Sequence, residues 1–292
     1  MSYSIRELLP EEFPPQLLEI PQPPKKLFLA GELPPSETIF LSVVGSRKYS
    51  NYGKDVCESI IEGLAGFPIT IVSGLALGID SIAHRAAMRA GLTTLAVPGS
   101  GLHHSVIYPR AHLSLAEEIV ERGGALLSEF DPKLSAAPWT FPQRNRIMAG
   151  LSRAVLVIEA EERSGTLITS RLATEYNRDV YVIPNSIFAQ GSRGSNKLLK
   201  QGAYPITDAS DILELFGLAQ ETATISEQSL ADLSEDEQKI FALLSEPTPR
   251  DELIRASGFD ISSVNTLLSV MEIKGLIIER GGAFRRSFLH LT

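Results

Sequence analysis

The sequence predicts a doubly wound α/β domain on a mostly parallel sheet, followed by a small helical module that ends in a hairpin. Two observations carry the first half: short, nearly continuous apolar runs rich in β-branched residues, and amphipathic helical windows between them. A third carries the second half, since helical windows resume after a polar, aperiodic stretch and then give way to a Gly-Gly turn.

Residues 1–37 form a proline-rich leading segment (Pro10, Pro14, Pro15, Pro21, Pro23, Pro24, Pro34, Pro35) with apolar islands such as Leu27–Leu29. Proline lacks a ladder donor, so this segment is expected to pack along the main domain with one edge strand at most. Residues 38–217 hold the α/β domain. Its strands are expected at Phe40–Val44, Ile69–Val72, Thr93–Val97, Ala125–Ser128, Ala154–Glu159 and Val180–Ile183. Helices are expected at Tyr52–Leu64, Ile79–Ala90, Ser114–Arg122, Thr166–Tyr176 and Ser195–Gln201. Such alternation covers both sheet faces and leaves a ligand crevice beyond the strands' carboxyl ends. Residues 218–232, rich in Ala, Gln, Glu, Thr and Ser, read as a linker. In residues 233–292, helices near Glu235–Leu244, Arg250–Ala256 and Ile261–Lys274 precede a hairpin turning at Gly281-Gly282 and running to Phe288. That order is a winged helix.

The chain has 292 residues, 43% of them hydrophobic and 21% charged, with net charge −8 and a single cysteine. One cysteine excludes an intramolecular disulfide framework and a Cys-rich zinc site, and fits a reducing compartment. Cys57, in a helical window, reads as a small core residue. No apolar run reaches the length needed to span a bilayer, and the N-terminus lacks a signal-peptide pattern. A soluble cytoplasmic protein is the expectation. The acidic balance argues against coating a polyanion with the whole surface, but a local basic groove remains open because screening confines electrostatics to about 10 Å.

Polar glycine turns close several strands: Val44-Gly-Ser-Arg47, Ser73-Gly-Leu-Ala-Leu-Gly-Ile-Asp80, Pro98-Gly-Ser-Gly101, Ser164-Gly-Thr166 and Pro184-Asn185. Glycine lets a phosphate approach the backbone, and a following helix N-terminus adds about half a positive charge. Phe141-Pro-Gln-Arg-Asn-Arg-Ile147 adds two arginines around an asparagine at what reads as a helix start, where fork donors and N–H groups point at one anion. Arg47, Arg144 and Arg146 are therefore the leading phosphate contacts. Phe141 reads either as a stacking face for a base or as a core aromatic. Lys197 and Lys200 either extend the groove or form the wet side of their helix. Asp80 reads as ordering its own loop, and His84, four residues on, as its hydrogen-bonded partner.

Neither a dinucleotide Gly-x-Gly-x-x-Gly after the first strand nor a P-loop is present, and no metal-ligand spacing or serine-hydrolase elbow occurs. No cofactor, no metal and no catalytic residue is expected.

In order, these motifs resemble the DNA-processing protein A family, also called Smf. The likeness runs through Val43–Arg47, Ser73–Asp80 with His84, Gly99-x-Gly-Leu102, Tyr108-Pro109, Ser128-Glu129, Phe141–Ser152, Ser164–Thr169, Arg178–Val180 and Gly202-Ala203. The resemblance implies an extended Rossmann domain that binds single-stranded DNA, dimerises, and passes the strand to the RecA recombinase during natural transformation. It implies a binder rather than an enzyme, often with an appended winged helix. Carried onto this chain, it puts DNA on Gly45, Ser46, Arg47, Phe141, Arg144, Asn145, Arg146, Ser164, Gly165, Thr166, Lys197 and Lys200. Gly74, Gly78, Asp80, Gly99 and Gly101 are then structural turns. The chain departs from the family pattern at His103–Ile107, and at Asn185 where the family has glycine; asparagine tolerates the left-handed conformation that such a turn would need.

Phosphate contacts fix a strand without reading it, so binding is expected to be sequence-tolerant and salt-dependent. The winged helix is expected to contact protein instead, because residues 226–292 carry seven basic against eleven acidic side chains and Ile261–Lys274 has no basic stripe. The wing arginines Arg280, Arg285 and Arg286 leave a minor nucleic-acid role. Two alternatives stand beside this reading. One is a nucleotide-processing phosphoribohydrolase, disfavoured because Arg163–Thr169 lacks the Pro-Gly-Gly-x-Gly-Thr-x-x-Glu carboxylate. The other is a nucleotide sensor with the winged helix as output.

Overall fold

The computed structural model describes residues 3–35, 37–218, 233–244, 246–274, 276–280 and 282–286. The chain divides into two compact units, Met1–Leu218 and Ala219–Thr292. Among the described residues no helix is long and apolar enough to cross a membrane.

The first unit runs β1 (Arg6–Glu7), α1 (Pro15–Leu18), β2 (Phe28–Gly31), β3 (Ile39–Val44), α2 (Asn51–Glu62), β4 (Ile69–Ser73), α3 (Ile79–Arg89), β5 (Thr94–Ala96) and α4 (Leu113–Glu121). It continues β6 (Ala125–Ser128), α5 (Thr140–Leu151), β7 (Ala154–Val157), α6 (Gly165–Glu175), β8 (Asp179–Val182), α7 (Arg193–Lys200), β9 (Tyr204–Pro205) and α8 (Ala209–Phe216). The sheet order is β1-β2-β6-β5-β4-β3-β7-β8-β9. From β3 to β9 neighbouring strands pair in parallel, whereas β2 pairs antiparallel to β6 and β1 antiparallel to β2.

Strand alternation sorts the core onto the two faces. In β3, Leu41 and Val43 join Cys57 and Ile61 of α2, Leu64 just after it, and Ile79 and Ala83 of α3. Phe40 and Val44 point the other way, into Leu17 of α1, Ile147, Met148 and Leu151 of α5 and Ala173 of α6. The chain proceeds from β3 to β6 on one side, then returns with β7 to the other side of β3. The sheet's switch point therefore lies at the carboxyl ends of β3 and β7, where loops leave toward opposite faces.

Three expectations need correction. The leading segment contributes the edge strand β1 and also an inner strand, β2, because Phe28–Gly31 escapes its prolines and lies between β1 and β6. Helix α5 starts at Thr140, so Arg144–Arg146 lie in its second turn, where their N–H groups serve the helix and are not offered to a ligand. Asn185 is not left-handed: among the described residues other than glycine, only Leu75 and Asn177 have positive φ. Its Oδ1 instead accepts from the Ser186 N–H at 2.7 Å.

The second unit contains α9 (Glu235–Leu243), β10 (Thr248–Pro249), α10 (Arg250–Ser257), α11 (Ile261–Ile273), β11 (Ile277–Arg280) and β12 (Ala283–Arg286), a winged helix with strand order β10-β12-β11. Ser234 caps α9 through the Glu237 N–H while the Glu237 carboxylate accepts from the Ser234 N–H, a reciprocal capping box. Its core gathers Ile240, Phe241, Leu253, Val264, Leu268, Met271, Ile277 and Phe284. Residues 219–232 of the expected linker, Gly281 of the expected turn and residues 287–292 lie outside the described residues.

Candidate functional site

A cleft of about 330 Å³ opens at the switch point. Val44–Lys48 after β3, Ala76 and Asp80 after β4, one face of α5 and the β7–α6 turn line it. A larger cavity, about 660 Å³, lies between α6, α7 and the strand pair β8–β9, and Lys197 lines that one. Volume favours the second cavity; chemistry favours the first, where positive donors and a helix N-terminus converge.

Local geometry decides what each wall offers. The Ser46 hydroxyl closes a tight turn, donating to the Lys48 carbonyl (2.9 Å) and accepting from the Lys48 N–H (3.0 Å), so it is spent. That turn throws Arg47 and Lys48 outward, both exposed. The Arg47 guanidinium sits 5.6 Å from the Phe141 ring centroid, and Tyr108 packs against the same ring at 5.6 Å. Opposite them α6 begins. Its Ser164 cap makes no capping bond, and the Ser164 hydroxyl is buried without a partner. The first N–H groups of α6 thus face the cleft with the helix's partial positive charge.

Arg144 is different in kind. Its buried guanidinium donates to the carbonyls of Gly74 and Val97, and its Nε donates to Asn145 Oδ1 at 3.2 Å. Arg144 thereby ties the ends of β4 and β5 to α5. Burial lowers its pKa to about 10, partly offset by Asp80, so it stays cationic at neutral pH. Buried Asp80 accepts from the N–H groups of Gly74 (3.1 Å) and Ala76 (3.4 Å), ordering its own loop; burial raises its pKa against the pull of Arg144. Inside the cleft, Arg144 is wall and field rather than a free hand.

The structure gathers Gly45, Ser46, Arg47, Phe141, Arg144, Asn145, Ser164, Gly165 and Thr166 around one space. It does not bring Arg146, Lys197 or Lys200 there. Arg146 follows Arg144 by two helix positions, which turns it to another face. There it pairs with Glu129 and donates to the Gln22 carbonyl. Lys197 and Lys200 belong to α7 and neither lines the cleft; Lys197 lines the other cavity. His84 bonds not Asp80 but Thr94, its Nδ1 2.7 Å from the hydroxyl. Since that hydroxyl donates to the Ile71 carbonyl, Nδ1 carries the ring proton, and burial depresses the His84 pKa to about 3.

The turn glycines separate by what they accommodate. A methyl at Gly74 would stand 2.6 Å from Arg144 Cζ, at Gly99 2.6 Å from the Phe141 ring, and at Gly45 2.6 Å from Ile79. Gly78 has φ +86° against the Ser46 and Arg47 backbone, and Gly101 meets the carbonyls of Asp131 and Pro132. These serve packing. Gly165 alone among the cleft glycines faces open space. The sequence reading missed Lys48, Glu161 and Thr169 as lining residues; only Lys48, adjoining Arg47, had a local signal.

In the second unit three of the described basic side chains are engaged internally. Lys274 pairs with Glu237, Arg250 with Glu279, and Arg286 donates to the Phe241 carbonyl at 2.9 Å. The side chains of Arg280 and Arg285 lie outside the described residues. Among the described residues no group of three or more His, Cys, Asp or Glu is arranged to hold a metal ion.

Comparison with known proteins adds independent findings. Residues 5–217 match the family model described as DNA recombination-mediator protein A, and residues 224–283 match the DprA winged helix domain. The chain is 40% identical over 284 residues to protein Smf of Escherichia coli K12, covering 94% of this chain and 75% of that one. It is 42% identical over 209 residues to DNA processing protein DprA of Streptococcus pneumoniae R6, covering 72% and 73%. The solved DprA from Streptococcus pneumoniae superposes with TM-score 0.68 at 41% identity, over 73% of this chain and 74% of that one. DNA processing protein A from Helicobacter pylori, whose structure was reported for its single-stranded DNA binding mode, superposes with TM-score 0.65 at 28% identity, over 73% and 96%.

Proposed function

The chain belongs to the DNA recombination-mediator protein A family, and we propose that its switch-point cleft binds single-stranded DNA through the phosphates, without reading sequence. One observation carries this: exposed Arg47 and Lys48 line the same crevice as the uncapped N-terminus of α6, while Arg144 and Asp80 beside them are already hydrogen-bonded within the protein. The Helicobacter pylori relative's single-stranded DNA binding supports the ligand class.

In this reading Arg47 and Lys48 hold one or two phosphates while the Gly165 and Thr166 N–H groups and the Ser164 hydroxyl donate to the same anion. Arg144 keeps the crevice positive while its guanidinium braces the β4 and β5 ends. The family further supports a homodimer acting in the cytoplasm that delivers the strand to a RecA-type recombinase. The acidic winged helix, with Arg250, Lys274 and Arg286 engaged internally, contacts protein in this scheme.

The test is salt-dependent binding of oligo-dT to the full chain. Arg47→Ala removes one phosphate contact, so the slope of log K against log salt falls by about 0.7 and affinity at moderate salt drops about tenfold. An unchanged slope and affinity would remove the cleft as the binding site.

A further inference from the structure

We infer that the turn Asn185–Ala189, together with Tyr49 before α2 and Tyr52 in its first turn, is a stacking platform for unpaired bases of a strand whose phosphates lie in the cleft. The inference rests on the cleft reading and extends it beyond the phosphate contacts.

Ile187 and Phe188 are 79% and 90% exposed, the most exposed large apolar side chains of the first unit. The backbone beneath them is held by specific hydrogen bonds. Asn185 Oδ1 accepts from the Ser186 N–H (2.7 Å), Ser186 Oγ accepts from the Phe188 N–H (3.2 Å), and the Ser186 carbonyl accepts from the Ala189 N–H (3.1 Å). The Asn196 amide donates to the Asn185 carbonyl at 3.1 Å, fastening the turn to α7. An ordered turn thus lifts two apolar side chains into water, where they gain nothing from burial.

This turn is coupled to the cleft. Tyr52 donates its hydroxyl to the Pro184 carbonyl at 2.9 Å, joining the start of α2 to the start of the turn. Buried Glu159 accepts from the N–H and the hydroxyl of Ser50, each at 2.9 Å, and a methyl at Gly191 would stand 3.6 Å from it. The Arg47–Tyr52 segment therefore begins in the phosphate cleft and ends against the platform, pinned to the same carboxylate that the β8–α7 connection approaches. Tyr49 and Tyr52 are themselves exposed. Lys48 and Lys54, close to the tyrosines in sequence, and Arg193, which begins α7, are exposed and enter no ion pair among the described residues, which suits a polyanion. Flat rings flanked by cations are what unpaired bases and their phosphates require, and stacking tolerates any base.

The experiment measures anisotropy of labelled oligo-dT with the full chain, using oligomers of about 4 and about 16 nucleotides, the range of site sizes such platforms and grooves cover. Phe188→Ala and Tyr49→Ala each alter an exposed ring. Each is expected to weaken the long oligomer about 5- to 10-fold, leaving the short oligomer's affinity and the salt slope unchanged. Phe188→Trp is expected to restore affinity, with its indole emission quenched on saturation. Parent-like binding of the long oligomer by both alanine variants, with Arg47→Ala still weakened, would overturn the platform and leave the cleft standing. If Arg47→Ala also bound normally, both readings would fall. A Phe188→Ala variant that bound DNA normally but changed its sedimentation would assign the turn to protein contact and equally overturn the proposal.

Discussion

Gly165 and Gly74 both sit in strand-to-helix turns at the switch point, yet the structure assigns them opposite consequences when each becomes alanine. At Gly165, the first residue of α6, an added methyl meets nothing within 4 Å. Its helical position suits alanine, so Gly165→Ala should stabilise by about 0.4–1 kcal/mol through the unfolded chain, a rise of about 1–4 °C in Tm. The same methyl stands where a phosphate would meet the α6 N–H groups. Forfeiting one hydrogen bond to a charged group costs about 1.5–3 kcal/mol, or roughly 10- to 100-fold in affinity for oligo-dT. At Gly74 a methyl would lie 2.6 Å from Arg144 Cζ. That guanidinium is buried, donates to two carbonyls and offsets Asp80, so moving it breaks a connected set. Gly74→Ala should cost about 2–4 kcal/mol and lower Tm by several degrees. Thermal unfolding and salt-controlled anisotropy on both variants provide the assay. A Gly165→Ala protein that bound like the parent would refute the placement of a phosphate on α6. A Gly74→Ala protein of unchanged stability would refute the bracing role given to Arg144.

Other outcomes follow from the same geometry. Arg146→Ala should leave oligo-dT affinity within about twofold while lowering stability by about 1–3 kcal/mol, because Glu129, whose pKa burial already raises, loses its counter-charge; urea unfolding alongside binding decides it. His84 is held near pKa 3 against an ordinary 6.5, so the unfolded chain takes up its proton first. Its contribution is complete above about pH 6.5 and is lost as pH falls toward 3, at up to about 1.4 kcal/mol per pH unit. His84→Gln should flatten that part of the pH–stability curve, and identical slopes in parent and variant would contradict the assignment. Isolated residues 226–292 should show little affinity for oligonucleotides at moderate salt, since acidic side chains outnumber basic ones there and Lys274, Arg250 and Arg286 are engaged internally.

Strand and helix positions in the α/β unit were legible because buried parallel strands leave continuous β-branched runs such as Ile69–Val72, with amphipathic windows between them. Boundaries differ by one or two residues, as helix ends fray. What the sequence concealed was the destination of individual polar groups. Arg144 and Arg146 look equivalent in the string Arg-Asn-Arg, but the helical twist sends one to the switch point and the other to Glu129. Gly74 and Gly99, expected as structural turns, leave room for Arg144 and Phe141, partners that the sequence did not name. Such close approaches join residues dozens of positions apart, which local pattern does not encode. The leading segment supplies one strand more than the single edge strand expected, because the proline argument holds for Pro21–Pro24 but not for Phe28–Gly31, which pairs between β1 and β6.

A crystal structure of the full chain with a short oligo-dT tests the central claim most directly. The account predicts a phosphate within hydrogen-bond reach of the Arg47 guanidinium and the Gly165 and Thr166 N–H groups, with Arg144 still bonded to the carbonyls of Gly74 and Val97. A strand lying along α7 or on the winged helix, with Arg47 turned away from it, would contradict the account.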